Sequence, residues 1–199
     1  AAMTAAGPSV TQLLEELESP QPALQNVERL YTRTEGGLRY SGGRLEMLDL
    51  DELPPLDRAI LSPRYYGEYG TEALQTKRGC PLHCTYCTYP LLEGARTRMR
   101  KPARVADEFM AISARAGVDH VFIVDSVFNL PPRHAKEICR ELEARGNRMP
   151  WTSYISPVAF DEELADLMMR AGATGMEVGS DSGCDEILTR LRKGFATDK

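Results

Sequence analysis

The fold of this chain is decided by the stretch Arg78-Gly79-Cys80-Pro81-Leu82-His83-Cys84-Thr85-Tyr86-Cys87, in which three cysteines follow a C-x3-C-x2-C spacing. Thiolates at this spacing can each bind one iron of a single cubane cluster. The fourth iron then has no protein ligand, and an open iron can bind a further molecule and take part in chemistry. We therefore predict that Cys80, Cys84 and Cys87 hold a [4Fe-4S] cluster.

Structural zinc is the alternative for closely spaced cysteines in an intracellular chain, and it predicts a non-catalytic, zinc-stabilised domain. Zinc of this kind takes four ligands, usually as two separated pairs, and the only local fourth candidate is His83, directly beside Cys84. The other cysteines, Cys139 and Cys184, stand alone on apolar helix faces, which predicts core thiols. A disulfide framework is disfavoured because five cysteines leave one unpaired and nothing marks secretion.

The composition of the 199 residues is that of an ordinary globular protein, with 42% hydrophobic and 27% charged residues. The 24 basic and 29 acidic side chains give a net charge of -5, which offers no broad basic face and disfavours nucleic acid as a partner. No apolar run approaches the roughly 20 residues of a membrane span, and the start lacks a signal sequence. These features predict a cytoplasmic protein, in a reducing compartment that suits a cluster.

Strand and helix patterns alternate four times after residue 71. The predicted strands cover residues 72–78, 120–124, 151–155 and 175–179, and the helices cover 103–116, 131–146, 161–172 and the segment from Cys184 to Leu191. This alternation predicts right-handed crossovers and a parallel sheet. An open doubly wound sheet and an incomplete barrel both satisfy the pattern.

The residues before this array form a different pattern. Residues 1–48 contain a helical period near 10–18 and a hairpin around Glu35-Gly36-Gly37. Residues 49–70 are rich in proline, as in Leu53-Pro54-Pro55-Leu56, and predict a linker or strap. One helix and one hairpin cannot make a stable core, so they are expected to dock on other sequence.

Polar groups follow each of the four predicted strands. The carboxyl ends of parallel strands meet at one rim of the sheet, where such folds place their chemistry. The sequence therefore predicts that these groups meet at one mouth. They are the cysteines with Tyr86, then Asp125 and Ser126, then Tyr154, and finally Ser180, Asp181 and Ser182.

These segments together resemble the radical S-adenosylmethionine (radical SAM) superfamily, in the class that carries an N-terminal cobalamin-binding domain. The likeness is carried by Lys77-Arg78-Gly79-Cys80 with its partner cysteines, Val124-Asp125-Ser126-Val127-Phe128-Asn129, Leu167-Met168-Met169-Arg170-Ala171-Gly172, Gly179-Ser180-Asp181-Ser182-Gly183 and Leu191-Arg192-Lys193-Gly194-Phe195. The resemblance implies an α/β fold: a parallel partial (β/α) barrel truncated to about four strand-helix units, with a short α+β N-terminal extension. It makes residues 71–199 the catalytic domain, incomplete at its C-terminus, and residues 1–48 the tail of a cobalamin-binding-like domain.

The function that the resemblance implies is reductive cleavage of S-adenosylmethionine by a [4Fe-4S] cluster, which yields a 5'-deoxyadenosyl radical. The intact protein would be a cobalamin-dependent methyltransferase or a related radical catalyst; a radical SAM enzyme acting on tRNA or a peptide without cobalamin is the second enzyme alternative. Tyr86, Asp125, Ser126, Tyr154, Ser180, Asp181 and Ser182 are then expected to bind S-adenosylmethionine. The expected partners are a small-molecule or lipid-like substrate and a reductant such as flavodoxin or ferredoxin, and no catalytic residue is assigned.

The sequence departs from the family pattern in several places. The cobalamin-ligating motif Asp-x-His-x-x-Gly is absent, since the three histidines are His83, His120 and His134. Cobalamin therefore enters only as a cofactor of the intact protein. Asp181 stands where the class commonly has Glu, and the second strand lacks a Gly-Gly-Glu run. The chain supplies four of the superfamily's six strand-helix units, which predicts an unpaired edge on the last strand.

Overall fold

The computed structural model of the chain describes residues 2–3, 8–43, 49–60, 64 and 68–198. These residues belong to two compact units, Ala1–Asp49 and Leu50–Lys199. Part of the predicted strap, residues 61–63 and 65–67, lies outside the described residues. The origin of residues 1–48 as the tail of a cobalamin-binding domain stays a prediction.

The first unit contains the predicted helix and hairpin. Helix α1 (Pro8–Glu18) is followed by a 3-10 turn at Leu24–Asn26 and by the antiparallel strands β2 (Leu30–Thr34) and β3 (Gly37–Tyr40), while β1 (Ala2–Met3) pairs with the other edge of β2. Gly37 makes the tight connection with a φ of 110°, which glycine adopts at little cost. The rings of Tyr31 and Tyr40 stack across the hairpin at 4.7 Å between centroids.

The second unit confirms the predicted parallel sheet. Its strands are β4 (Thr71–Leu74), β5 (Lys77–Arg78), β6 (Arg98–Met99), β7 (His120–Ile123), β8 (Trp151–Ile155) and β9 (Ala173–Val178), and its helices are α2 (Tyr89–Leu92), α3 (Pro102–Ser113), α4 (Pro132–Ala144), α5 (Glu162–Arg170) and α6 (Asp185–Leu191). The sheet order is β4-β7-β8-β9, and all three pairings are parallel. Four strand-helix units in sequential order are therefore present, which is the architecture of a partial barrel.

The first predicted strand is shorter than expected. The prediction carried it through residue 78, but it leaves the sheet after Leu74, and Lys77–Arg78 instead pairs antiparallel with Arg98–Met99. The reason is that the backbone amides of Thr76 and Lys77 donate to the carboxylate of Asp125 rather than to a neighbouring strand. A side chain from the next strand-helix unit thereby ends the ladder.

The core lies between the sheet and the helices α3, α4 and α5. In β7 and β8, alternate residues are buried, as the strand period of two requires. They pack against apolar positions that recur at helical spacing. The core includes Val105, Phe109, Ile112, Val121, Ile123, Ile138, Leu142, Trp151 and Leu164, each at most 1% exposed.

Three helices of the second unit begin with residues that favour a helix start. Pro102 and Pro132 occupy the first turns of α3 and α4, and the Asp161 carboxylate caps α5 by accepting a 2.8 Å bond from the amide of Leu164.

Cys139 is fully buried, as predicted. The prediction of a core thiol at Cys184 was wrong, because this residue is the exposed N-cap of α6.

Strand β9 forms the last edge of the sheet in the part of the chain that the structure describes. Two of its apolar side chains, Met176 and Val178, are 43% and 45% exposed. Among the described helices, none is long and apolar enough to cross a membrane.

Candidate active site

The cysteine loop starts where the chain leaves β5, at the rim formed by the carboxyl ends of the strands. Gly79 has a φ of 90°, and the amide of Cys80 donates to the carbonyl oxygen of Gly94 at 3.1 Å. At the other side of the loop, the amide of Thr85 donates to the carbonyl oxygen of Leu191 at 3.1 Å. The loop is therefore held by its own hairpin at one side and by the last helix, α6, at the other.

The three cysteines line one cavity of about 190 Å³. Cys80 is buried, Cys84 and Cys87 are half-buried, and none is in a disulfide. The cavity brings together side chains that follow three different strands, as the sequence predicted for the rim. Its other lining residues are Leu82, Tyr86, Tyr89, Ser126, Val127, Tyr154, Ile155, Ser156, Gly179 and Lys193.

The electrostatics of the thiols reflect their proximity. Burial raises the pKa of Cys84, the positive charge of Lys193 lowers it, and the neighbouring Cys87 and Cys80 raise it further. Among the described residues, no group of three or more His, Cys, Asp and Glu side chains is arranged around the position of a single metal ion. Three free thiols on the wall of one cavity are compatible with the donor set of a [4Fe-4S] cluster that has one open iron.

A polar triad stands at the mouth of this cavity. The Tyr86 hydroxyl donates to the carboxylate of Asp181, and the Lys193 ammonium lies 2.6 Å from the same carboxylate and 3.0 Å from the Tyr86 oxygen. The hydrogen bond from Lys193, followed by that from Tyr86, lowers the pKa of Asp181, so its carboxylate is ionised at neutral pH. The triad therefore presents one fixed anion and one fixed cation beside the thiols.

Lys193 was not among the predicted site residues. Its side chain is 8% exposed, although its neighbour Arg192 is exposed in the ordinary way of a charged residue. The segment Leu191-Arg192-Lys193-Gly194-Phe195 was part of the family resemblance, but the role of Lys193 became visible only because the contact of Leu191 with Thr85 brings the end of α6 back to the cysteine loop. Asp181 adds a second sign of a site here: its φ of 62° is left-handed, a conformation that non-glycine residues hold at a cost and often at functional positions.

Of the other residues predicted to bind the cofactor, some line the cavity and some do not. Ser126 and Tyr154 line the cavity, and the Ser126 hydroxyl donates to the carbonyl oxygen of Gly79 at 3.4 Å. Ser180 and Ser182 do not line it; the Ser182 hydroxyl accepts a 3.1 Å bond from the amide of Cys184 at the start of α6. Ser182 therefore acts as a local turn former in this structure.

Asp125 does not reach the cavity either. It is fully buried, and its carboxylate is bonded to Thr76 and Lys77 where β4 ends. The prediction that it binds a cofactor directly has no support in this geometry, since the carboxylate is fully buried and accepts four bonds from Thr76 and Lys77.

The comparison with protein families shows the superfamily to which this chain belongs. Residues 74–198 match the model described as "Radical SAM superfamily". The chain belongs to the radical SAM superfamily. Members of this superfamily use a [4Fe-4S] cluster and S-adenosylmethionine, which supports the iron-sulfur interpretation of Cys80, Cys84 and Cys87 over the zinc alternative.

Relatives of the radical SAM domain include methyltransferases. The chain is 34% identical over 134 residues to the tryptophan 2-C-methyltransferase of Streptomyces laurentii, a match that covers 63% of this chain and 22% of that protein. Two structures of the radical SAM methyltransferase TsrM from Kitasatospora setae superpose with a TM-score of 0.79. One holds tryptophan and a SAM analogue, with 29% identity over 95% of this chain and 39% of TsrM.

The other TsrM structure contains cobalamin and a [4Fe-4S] cluster, with 26% identity over 98% of this chain and 40% of TsrM. The chain therefore spans less than half the length of these relatives. The predicted fold class is confirmed by this likeness, which extends over nearly the whole chain.

Proposed function

We propose that the intact protein is a cobalamin-dependent radical SAM methyltransferase or a related radical catalyst, and that residues 71–199 provide its cluster and S-adenosylmethionine site. One observation carries this proposal: Cys80, Cys84 and Cys87 line a single cavity at the carboxyl ends of a parallel sheet, together with a polar triad. The methyltransferases among the relatives support the class of reaction. When a cluster is bound to such thiolates, it supplies an open iron and the electron that cleaves S-adenosylmethionine to methionine and a 5'-deoxyadenosyl radical.

The residues of the triad have the charges that S-adenosylmethionine requires. The cofactor carries a carboxylate, an ammonium group and ribose hydroxyls. Lys193 can donate to the carboxylate, and the ionised Asp181 can accept from the ribose hydroxyls or the ammonium group. Tyr86, which bonds to both, orients them, and the apolar side chains Leu82, Val127 and Ile155 line the cavity beside the thiols.

Cobalamin has no ligand of the family type in this chain. Of the three histidines, His134 is buried and its Nε2 lies 2.8 Å from the carbonyl oxygen of Arg100. Because the Asp-x-His-x-x-Gly motif is also absent from the sequence, we assign the binding of cobalamin to another part of the intact protein. The structure of TsrM that contains both cobalamin and a [4Fe-4S] cluster supports the use of cobalamin by the intact protein.

We also propose that the protein works in the cytoplasm with flavodoxin or ferredoxin as its reductant. All five cysteines are free thiols, which suits a reducing compartment.

A further strand is proposed to pair with β9, since Met176 and Val178 on that edge are exposed. The tRNA-modifying alternative is disfavoured by the net charge of -5, because binding to a phosphate backbone rests on basic side chains.

The test is the electron paramagnetic resonance spectrum of the anaerobically reconstituted, dithionite-reduced chain, with and without S-adenosylmethionine. We expect a reduced-cubane signal that changes when S-adenosylmethionine is added and that disappears in Cys84→Ala. Cys184→Ala is the matched control, because this exposed thiol lies outside the cavity and its loss should leave the signal unchanged.

Two results would contradict the proposal. One is a colourless protein that contains zinc and no iron after reconstitution. The other is a cluster signal that survives in Cys84→Ala, which would place the iron on other thiols.

A further inference from the structure

A buried ion pair lies directly before the cysteine loop. The Lys77 ammonium is 2.8 Å from a carboxylate oxygen of Asp125, and the two side chains are 2% and 0% exposed. Lys77 is three residues from Cys80 and belongs to the short strand β5 from which the loop departs. Neither residue lines the cavity, so the site described above does not use them as ligand contacts.

The Asp125 carboxylate is occupied by its own chain. It accepts a 2.7 Å bond from the amide of Thr76, a 2.5 Å bond from the Thr76 hydroxyl and a 3.2 Å bond from the amide of Lys77, besides the bond from the Lys77 ammonium. Four donors satisfy the roughly four acceptor positions of an ionised carboxylate. Asp125 therefore fixes both residues that precede Arg78 and Gly79 in the loop.

The Lys77 ammonium is held equally firmly. It donates a second bond, of 2.8 Å, to the carbonyl oxygen of Phe128 and lies 5.3 Å from the centroid of the Phe128 ring. Burial lowers the pKa of Lys77, while the Asp125 carboxylate and, to a smaller extent, Cys80 favour its charged form. The Lys77 ammonium is thus held by two bonds at the start of the loop that carries the first of the three thiols.

Stability alone gives a poor reason for this arrangement. A buried ion pair costs several kcal/mol per ion in desolvation, and well-packed apolar residues of similar volume often stabilise a protein as well or better. The fully bonded pair does, however, fix the position of the loop start and the position of the Lys77 ammonium. A cation near a cluster stabilises its reduced, more negative state, because unlike charges attract strongly where water is excluded.

We propose that Lys77 and Asp125 are positioning residues for the cluster: Asp125 fixes the start of the cysteine loop, and Lys77 supplies a positive charge that makes the cluster easier to reduce. This inference rests on the proposed function, since it requires a [4Fe-4S] cluster on Cys80, Cys84 and Cys87. It assigns Asp125 to the support of the cluster in place of the contact with S-adenosylmethionine that the sequence suggested.

The test is a redox titration of the reconstituted full chain, followed by the reduced-cluster signal, together with the iron content per chain. Lys77→Met is expected to shift the midpoint potential to a more negative value, and Lys77→Arg, which keeps the charge, is expected to restore it. Lys136→Met is the matched control, because Lys136 pairs with Asp161 and Glu163 at 2.7 Å each on the outer surface of α4. The midpoint potential of the cluster in Lys136→Met should equal that of the cluster in the unaltered chain.

An unchanged midpoint potential in Lys77→Met with full iron content would overturn the inference. Lys77→Gln provides a second neutral variant with a polar side chain, and an unchanged potential in this variant with full iron content would equally overturn the inference. If the unaltered chain itself gave no cluster signal, the proposed function would fail. The two failures are therefore distinguishable.

Discussion

Replacing Gly79 by alanine should remove the cluster while leaving the rest of the sheet in place. Gly79 has a φ of 90°, and an added Cβ would lie 2.9 Å from the carbonyl oxygen of Gly94 and closer still to that of Arg96. Real Cβ atoms essentially never come within 3.0 Å of such atoms, and a backbone carbonyl cannot rotate away as a flexible side chain can.

The loop must therefore move by several tenths of an ångström at the residue that precedes Cys80, whereas ligand distances at a metal site tolerate about 0.2 Å. The left-handed conformation costs alanine about 1–2 kcal/mol, and overpacking adds about 1–3 kcal/mol. Together they amount to about 2–5 kcal/mol, a loss of roughly 30-fold or more in the population of the cluster-binding loop.

The assay is iron and sulfide content per chain after anaerobic reconstitution, with circular dichroism to confirm the fold. Gly183→Ala is the control at the same rim, because a Cβ at Gly183 would meet nothing within 4 Å. Gly79→Ala should bind less than a tenth of the iron that Gly183→Ala binds under the same conditions. Equal iron in the two variants would show that the close approach of Gly79 to the β5–β6 hairpin does not position the cysteines.

Three further outcomes follow from the triad, the thiols and a helix cap. Lys193→Met should weaken binding of S-adenosylmethionine about tenfold, as measured by calorimetry, because one charge-assisted hydrogen bond is lost. Arg192→Met removes a neighbouring exposed charge and should leave the affinity unchanged. Equal losses of affinity in the two variants would refute a specific contact. Burial raises the pKa of Cys139 to about 12, so iodoacetamide at pH 8 should alkylate the exposed Cys184 and spare Cys139 until the chain unfolds, as peptide mass spectrometry would show. Asp161→Ala should lower the free energy of unfolding in urea by about 1 kcal/mol, because the first turn of α5 loses its cap; no change would assign the cap to solvent.

The cysteine spacing made much of the site predictable. Cys80, Cys84 and Cys87 stand within one loop, so the chain itself keeps them close, and the strand-helix alternation that places the loop at a sheet rim is also a local pattern. Ser126 and Tyr154 were predicted at the same mouth because parallel strands share one carboxyl edge, and the structure places both in the cavity wall.

The same reasoning gave no basis for separating Asp125 from Ser126. Both follow the second strand, yet Asp125 is fully buried and Ser126 lines the cavity. Successive residues at the end of a strand point to opposite sides, and the packing of neighbouring segments decides which side holds the ligand. Cys184 shows a similar limit, since one residue of difference at a helix start moved it from the predicted core to the exposed N-cap.

The sequence by itself determined the grouping of the three cysteines in one loop, the parallel α/β array and its order along the chain, because these depend on residue spacing over a few turns or strands. Only the tertiary structure decided that Lys193 joins Tyr86 and Asp181 at the cavity mouth and that Lys77 and Asp125 pair beneath the loop. These contacts join residues 107, 95 and 48 positions apart. Their formation depends on how whole elements pack, and no local pattern of apolar and polar residues encodes that.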